Sequence, residues 1–444
     1  MAEGESAMSS NHNRRRVPAL VWLMLVALFL VYAIQLRSPL RLNTDADVIL
    51  RLTANLTDGQ PYLYQGHRPL YPIGMPLFYS FMERAGMANS FGFGLLNLLC
   101  LFIAALAIWV VSAAFRMSST MRATVILVAF SSYVLIKHSV LPLTDIPYLA
   151  VSMAALALLE TIPERGAARR LALLALAFAL VAAAMLIRRI GVALVPAAIY
   201  AAFPAEWRQR LLNAFTLAEL KRRWPVVVGV VIILAILVAA HRLIFYLPDL
   251  SFQGSITHVV ARQVRLRLMD FGDLILNLPL DEVARLRPAL DLAGLGLTAL
   301  ILIGLWRWRQ KLHPTHVYLI AYLAILAIWP FTDVRFWIPV LPLIVIVVIQ
   351  SAESSTCAKA CRRATAVYLA YYTMTVVIAV AYTTRLTFAG SRFPERYGGG
   401  SMKAAYEEAW AGQVEDPNDD RVNLIHRYGM EGAPAGSINR GRQP

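Results

Sequence analysis

The feature that most constrains this chain is a series of eleven apolar stretches that are long enough, or nearly so, to cross a bilayer as helices. A transmembrane helix needs roughly 17–25 mostly apolar residues. With 58% hydrophobic and 16% charged residues, the chain cannot be an ordinary soluble domain. We therefore expect an all-α, polytopic membrane protein. The predicted spans lie near residues 17–36, 91–115, 119–138, 146–160, 171–187, 190–203, 225–246, 289–306, 316–330, 336–350 and 365–384.

The distribution of arginine and lysine predicts the orientation of these spans. Arg14, Arg15 and Arg16 precede the first span and place the N-terminus in the cytoplasm, and the span should stay attached because it lacks a small-residue cleavage site. Every second connection after it is basic, as the positive-inside rule requires of cytoplasmic loops. The net charge of +15 is therefore mainly a topology signal, and we expect no nucleic-acid partner. The basic connections are residues 116–122, 161–170, 204–224, 307–314 and 351–364.

This orientation predicts the domain organisation. The expected parts are a cytoplasmic tail (1–16), a transmembrane domain (17–384) with two large outer loops (37–90 and 247–288), and a short outer tail (385–444). Within the second loop, residues 256–268 are amphipathic and should lie along the membrane surface. In the tail we expect one short helix near residues 404–410, and residues 432–444 should be unstructured.

The first outer loop carries two acidic residues where a helix is predicted to begin. Thr44 should cap this helix, whose first turn contains Asp45 and Asp47, and Gly59 should end it. The structural explanation is that negative charge at a helix N-terminus is stabilised by up to ~1 kcal/mol. The functional explanation is that a second surface helix, at residues 76–86, is joined through a proline-rich elbow and places the acids at the mouth of a cavity.

Further charged residues fall at the predicted outer ends of spans. Asp145 begins the fourth span in a connection so short that its carboxylate must sit at the membrane interface, which is costly unless it is paired or wet. Arg188, Arg189 and Arg335 lie in outer connections, where the positive-inside rule disfavours arginine. They either snorkel to lipid, pair with Asp333, or hold a phosphate inside the protein. We expect one outward-facing cavity to be lined by Asp45, Tyr71, Asp145, Arg188 and Arg335.

Taken in order, these segments resemble the GT-C superfamily of glycosyltransferases, in the branch related to protein O-mannosyltransferases and to the transferase that adds aminoarabinose to lipid A. The chain departs from the family at Ile49, where tyrosine is common, and in its outer tail of about sixty residues, which is smaller than the C-terminal domain of some members. The segments that carry the resemblance are 45–47, 52, 54–62, 69–77, 144–148, 186–191 and 333–342.

The resemblance implies a transferase that moves a sugar from a polyprenyl-phosphate-linked donor to a hydroxyl of a lipid, glycan or protein acceptor, at the outer face of the cell membrane. It implies a single inverting displacement. No cofactor is required; an acidic pair can hold a divalent cation, but two carboxylates are few ligands for one. The implied roles are Asp45 as the base, Asp47 and Asp145 as orienting groups, Arg188, Arg189 and Arg335 as phosphate ligands, and His67, Arg68 and Tyr71 as further cavity residues.

Two other functions are open at this point. A transporter or flippase for a polyprenyl lipid or a small anion also has many spans and intramembrane charge, but transporters often show two related halves and broken helices at the midplane. No half-repeat is visible in the sequence. A scaffold in cell-envelope assembly with an inactive site would tolerate substitution of Asp45. The sequence identifies neither the sugar nor the acceptor.

Overall fold

The regular structure of the chain is helical. The structure is a computed structural model, and apart from one isolated β-bridge between Tyr64 and His67 the residues that it describes contain only helices, turns and loops. This confirms the all-α prediction. The seventh predicted span and both chain ends lie outside the described residues, which are 18–162, 166–204, 206–208, 256–278, 284–308, 311–327, 329, 331–353, 358–397, 400–412 and 419–429.

Each of the other ten predicted spans contains helix. Five of the described helices are long and apolar enough to cross a membrane, so the protein is a multi-pass membrane protein. The described helices are α1 (Ala19–Ile34), α2 (Thr44–Thr57), α3 (Gly74–Arg84), α4 (Ser90–Ala114), α5 (Ser119–Phe130), α6 (Tyr133–His138), α7 (Asp145–Thr161), α8 (Ala167–Ile187), α9 (Leu194–Ala202), α10 (Ile256–Leu276), α11 (Arg287–Trp308), α12 (Pro314–Ala327), α13 (Leu341–Glu353), α14 (Ala358–Thr387), α15 (Phe393–Arg396), α16 (Gly400–Ala411) and α17 (Asp420–Gly429).

A second apolar core, separate from that of the membrane bundle, lies at one end of the bundle. It joins α2 and α3 to α15, α16 and α17, and we call these five helices the cap layer. In the chain, α2 and α3 lie between α1 and α4, and α15, α16 and α17 follow α14. The C-terminal ends of α1 and α14 and the N-terminal end of α4 therefore lie on the same side of the bundle. The described part of the tail is thus helical, with helices on both sides of the one that the sequence predicts. Tyr406 and Tyr397 bind it to the segment before α2, because their hydroxyl groups donate to the carbonyls of Leu40 (2.7 Å) and Leu42 (2.9 Å).

A buried arginine fixes the start of α2 against the membrane bundle. Arg41 is 1% exposed and donates from Nε to Ser38 Oγ (2.9 Å) and from Nη1 to Thr383 Oγ1 (2.8 Å). Its Nη2 donates to the carbonyl of Thr383 (3.0 Å) and to Thr387 Oγ1 (3.1 Å), both on α14. Buried charge needs such hydrogen bonds. The entry into α2 is therefore tied to the end of α14.

The sequence predicts that residues 256–268 form a helix along the membrane surface. The C-terminal end of this segment is instead buried in the protein, so the prediction is wrong there. The helix α10 continues to Leu276, and Arg267 is only 8% exposed. Its Nη2 donates to the carbonyls of Trp329 (3.1 Å) and Phe331 (2.6 Å), and its Nη1 donates to Asp270 Oδ2 (2.9 Å). Arg267 therefore holds the connection that leads to Arg335, and does not lie at a lipid surface.

Candidate active site

A cavity of about 450 Å³ opens between the cap layer and the membrane bundle. Its wall is formed by the start of α2, the loop before α3, the starts of α7 and of the segment after α8, and the connection between α12 and α13. The sequence predicts that five charged and aromatic residues share one cavity, and all five line this one. They are Asp45, Tyr71, Asp145, Arg188 and Arg335, and a sixth predicted site residue, Arg189, lines the cavity as well.

The start of α2 places Asp45 in the cavity. Asn43 Oδ1 accepts a hydrogen bond from the backbone N–H of Ala46 (2.9 Å), so Asn43 is the N-cap and not Thr44 as predicted. Asparagine is at least as good a cap as threonine, which explains the shift by one residue. Ile49 lies one turn beyond Asp45 and lines the same cavity, because residues four apart lie on the same face of a helix.

Asp47 faces the other way. Residues two apart on a helix point about 200° away from each other, so Asp45 and Asp47 cannot share one face. Asp47 Oδ2 lies 3.1 Å from Arg51 Nε, and Arg51 also pairs with Asp420 of α17. The structure therefore does not bring Asp47 to the cavity. Among the described residues, no group of three or more His, Cys, Asp and Glu side chains is placed to hold a metal ion.

Arg335 lies between two carboxylates. Its guanidinium forms an ion pair with Asp45, and its Nε lies 2.6 Å from Asp333 Oδ2. Asp333 Oδ1 also accepts a hydrogen bond from the backbone N–H of Arg335 (3.0 Å) and so caps the 3₁₀ turn Val334–Trp337. Burial raises the pKa of Asp333 to about 6 and lowers the pKa of Arg335 to about 10. Arg335 remains a cation at neutral pH.

A second buried ion pair joins Asp145 to Arg188. Asp145 is 1% exposed at the N-terminus of α7, and Arg188 follows the last residue of α8. The guanidinium carbons of Arg188 and Arg335 lie 5.5 Å and 5.4 Å from the centroid of the Phe336 ring. An aromatic face attracts cations at this distance. One ring therefore helps to hold both arginines in the cavity wall.

The remaining predicted residues divide between the cavity and the surface. Arg189 Nη2 donates to the carbonyl of Pro69 (3.3 Å), two residues before Tyr71 in the cavity wall. Gly191 lets this turn lie against α8, since a Cβ there would be 2.6 Å from the carbonyl carbon of Ala184. Two predicted residues, His67 and Arg68, are exposed and are not among those that line the cavity.

Sequence reasoning missed several residues that build this site. Asp333 appeared only as a competing partner of Arg335, whereas it shares Arg335 with Asp45. The Arg267 and Asp270 pair was missed as well; the only sequence signal for it is the spacing of three residues on one helix, which lets arginine and aspartate meet. Asp270 Oδ2 also accepts a hydrogen bond from Trp337 Nε1 (3.1 Å). This pair therefore supports both ends of the segment that carries Arg335.

No protein-family model and no curated protein matches the chain. Among solved structures, it is similar to the crystal structure of ArnT from Cupriavidus metallidurans in the apo state, with a TM-score of 0.53 and 15% identity over 93% of this chain and 85% of that chain. ArnT bound to undecaprenyl phosphate gives a TM-score of 0.49 at 14% identity, over 93% and 75% of the two chains. The archaeal oligosaccharyltransferase AglB from Archaeoglobus fulgidus, in complex with an inhibitory peptide and a dolichol-phosphate, gives 0.46 at 13% identity, over 96% and 61%. The likeness to apo ArnT shows that this chain has the same fold, which is the GT-C fold that the sequence resemblance implies.

Proposed function

We propose that this protein is a membrane glycosyltransferase that moves a sugar from a polyprenyl-phosphate-linked donor to a hydroxyl acceptor, and that the cavity is its active site at the outer face of the cell membrane. The observation that carries the proposal is the pairing of Asp45 with Arg335 and of Asp145 with Arg188 in one cavity of a chain with the ArnT fold.

The two ion pairs suit a phosphate-bearing donor. A guanidinium that leaves a carboxylate needs another anion, and a phosphate offers oxygens in the geometry that arginine binds bidentately. Donor binding therefore exchanges the partner of Arg335, and of Arg188, without leaving a buried cation unpaired. This exchange also releases Asp45, whose carboxylate is too well paired with Arg335 to act as a strong base beforehand.

Released in this way, Asp45 takes the proton from the acceptor hydroxyl. The hydroxyl oxygen forms a bond to the anomeric carbon while the bond from that carbon to the phosphate oxygen breaks. The electron pair of that bond leaves with the polyprenyl phosphate, whose added negative charge Arg335 and Arg188 stabilise. A single displacement of this kind inverts the anomeric centre.

The apolar part of the wall supports a lipid carrier in preference to a nucleotide. Leu326, Trp329 and Phe331 form one side of the cavity, and the Phe331 side chain is exposed. Such a surface matches the first isoprene units next to the phosphate. The transporter alternative has less support, because transport sites lie near the midplane at broken helices, whereas Asp145 and Arg188 lie at helix ends beside the cap layer.

The proposal is tested in a strain that lacks the gene, by mass spectrometry of envelope glycans and of polyprenyl-phosphate sugars. We expect one glycan to disappear and its lipid-linked donor to accumulate. Wild-type protein and the control Glu407→Gln, an exposed change on α16, should restore the glycan, and Asp45→Asn should not. An unchanged glycan profile after deletion, or restoration by Asp45→Asn, would overturn the proposal.

A further inference from the structure

A second concave surface lies on the opposite side of α2 from the cavity. This groove, of about 470 Å³, runs between the C-terminal half of α2, the loop that follows it, and α17, and we call it the tail groove. Arg51, Ala54 and Asn55 line it and point about 240°, 180° and 280° around the helix from Asp45, whereas Ile49, which lines the cavity, points only about 40° from it. The helix α2 is therefore a partition with the cavity on one side and the tail groove on the other.

The loop wall of the tail groove is preformed. Tyr64 and His67 exchange two backbone hydrogen bonds of 2.9 Å across Gln65 and Gly66, whose φ angles are 50° and 77°. These are the features of a two-residue type I′ turn, and glutamine adopts this backbone conformation at an energetic cost that the surroundings must offset. Asn55 Nδ2 donates to the carbonyl of Leu63 (2.9 Å), which fastens the loop to α2.

Ion pairs clamp α17 to the other side of the groove. Arg427 Nη1 and Nη2 each lie 3.0 Å from a carboxylate oxygen of Asp58, and its Nε lies 2.5 Å from Glu83 Oε1. Arg51 pairs with Asp47 and Asp420. Both guanidinium groups that line the tail groove are thus held by carboxylates. An anionic ligand such as a phosphate or an acidic peptide would have to displace these carboxylates, which disfavours its binding.

Besides its paired charged groups, the groove exposes neutral polar side chains. Gln60, Gln65 and Asn423 are exposed amides, and amides both donate and accept hydrogen bonds. The half-buried ring of Tyr64 adds a flat apolar face with a polar tip. Hydroxyl groups that donate and accept, carried on rings with apolar C–H faces, fit this set. That combination describes an uncharged sugar.

We propose that the tail groove binds a neutral oligosaccharide portion of the acceptor, an inference that rests on the proposed function. The same loop lines both surfaces, since residues 60, 61 and 63–66 face the groove and residues 70–72 face the cavity. Tyr62 joins the two parts of the loop, because its hydroxyl donates to the carbonyl of Tyr71 (3.0 Å). Asn55 lies about 15 Å along α2 from Asp45, a distance that a short oligosaccharide spans.

The test uses the deletion strain, with full-length variants expressed at a limiting level. The double variant Gln60→Leu, Asn423→Leu should lower the amount of the deletion-dependent glycan by ~10-fold, since each lost hydrogen bond weakens binding several-fold. The pair Gln60→Glu, Asn423→Asp still accepts hydrogen bonds and should keep several-fold more glycan than the leucine pair. Lys403→Leu, an exposed change on α16, is the control and should match wild type.

Binding of undecaprenyl phosphate to the purified variants separates the two proposals. The leucine pair should bind this probe within twofold of wild type, because the cavity lies across α2. Full glycan formation by the leucine pair, an equal loss in the carboxylate pair, or weakened undecaprenyl phosphate binding would each overturn the neutral-acceptor groove. If deletion itself changes no glycan, or if Asp45→Asn restores the lost one, the proposed function has failed instead.

Discussion

The two faces of α2 differ in almost every physical respect. On the cavity face, Asp45 pairs with an arginine that is 7% exposed, among apolar side chains. On the groove face, Asp47 and Arg51 lie in a chain of ion pairs that ends at Asp420, whose side chain is 59% exposed. Because one short helix carries both sets, the identity of an acidic residue says little about its role. Its direction around the helix decides the environment that it meets.

Burial sets the energetic scale of each ion pair. Breaking a buried ion pair by removing one partner typically costs about 3–5 kcal/mol, whereas an exposed pair contributes about 0–1 kcal/mol. Substitutions at the buried ion pairs of the cavity should therefore have large effects, and substitutions at exposed carboxylates near the tail groove, such as Asp58, small ones. Each prediction below pairs a residue that lines the cavity with one on the side of the tail groove.

The largest difference is expected between Asp45→Asn and Asp47→Asn. Loss of a general base typically lowers the rate by ~10²–10⁴-fold, and Asp45→Asn should fall in this range. Asp47 does not line the cavity, so Asp47→Asn should lower the rate per folded molecule by less than ~10-fold, although loss of this buried carboxylate should also lower stability. The measurement is the initial rate of glycan formation in membranes from the complemented strains. Equal losses would mean that the two acids act together despite their directions.

Much of this comparison could have been predicted from the sequence. The sequence predicts a helix that is capped by Thr44 and ended by Gly59, close to the observed Thr44–Thr57, and the 3.6-residue period already separates Asp45 from Asp47 by about 200°. The positions of Arg188 and Arg335 followed from their conflict with the positive-inside rule. The environment of Arg267 could not be predicted, because an amphipathic pattern does not distinguish a lipid phosphate from the buried carbonyls of Trp329 and Phe331.

The docking of the tail was equally hidden. The contacts of Tyr397 and Tyr406 with residues 40–42 join positions more than 350 apart in the chain. No local periodicity encodes such a contact, because it depends on where the ends of α1 and α14 meet. The tail groove, which needs α17 as one wall, was therefore beyond sequence reasoning.

The second largest difference concerns donor binding by arginine. Arg335→Met should weaken the affinity for undecaprenyl phosphate by ~10–100-fold, since hydrogen bonds to charged groups contribute about 1.5–3 kcal/mol. Arg335→Lys keeps the charge without the planar fork and should weaken binding less. Arg51→Met, on the groove face, should bind within twofold of wild type. Unchanged affinity in Arg335→Met would make Arg335 an interface anchor and transfer the phosphate role to Arg188 or Arg189.

A third comparison uses thermal unfolding in nanodiscs. Asp145→Asn leaves Arg188 buried without its carboxylate and should lower the unfolding temperature clearly, whereas Asp58→Asn, on the exposed side, should change it little. Added undecaprenyl phosphate gives Arg188 a new anion. It should therefore raise the unfolding temperature more in Asp145→Asn than in wild type. An equal rise in both proteins would show that the ligand does not reach Arg188.

The smallest effect is a difference in pH dependence between Asp333 and Asp419. Burial raises the pKa of Asp333 from 3.8 to about 6, so between these values the folded protein holds a proton that the unfolded chain has lost. Stability from this group is therefore greatest below the lower value and declines as the pH rises to about 6.

Asp419 should behave in the opposite way. The hydrogen bond from Arg421 lowers the pKa of Asp419 below 3.8, so its contribution to stability is constant above that pH and is lost only on further acidification. Between pH 4 and 6, Asp333→Asn should thus flatten the decline in unfolding temperature. The change should be small, because the Asp333 side chain is 34% exposed and its charge is partly screened by water. Over the same range, Asp419→Asn should shift the curve of unfolding temperature against pH without changing its shape. Parallel curves for Asp333→Asn and wild type would place Asp333 in water, and Arg335 would then depend on Asp45 alone.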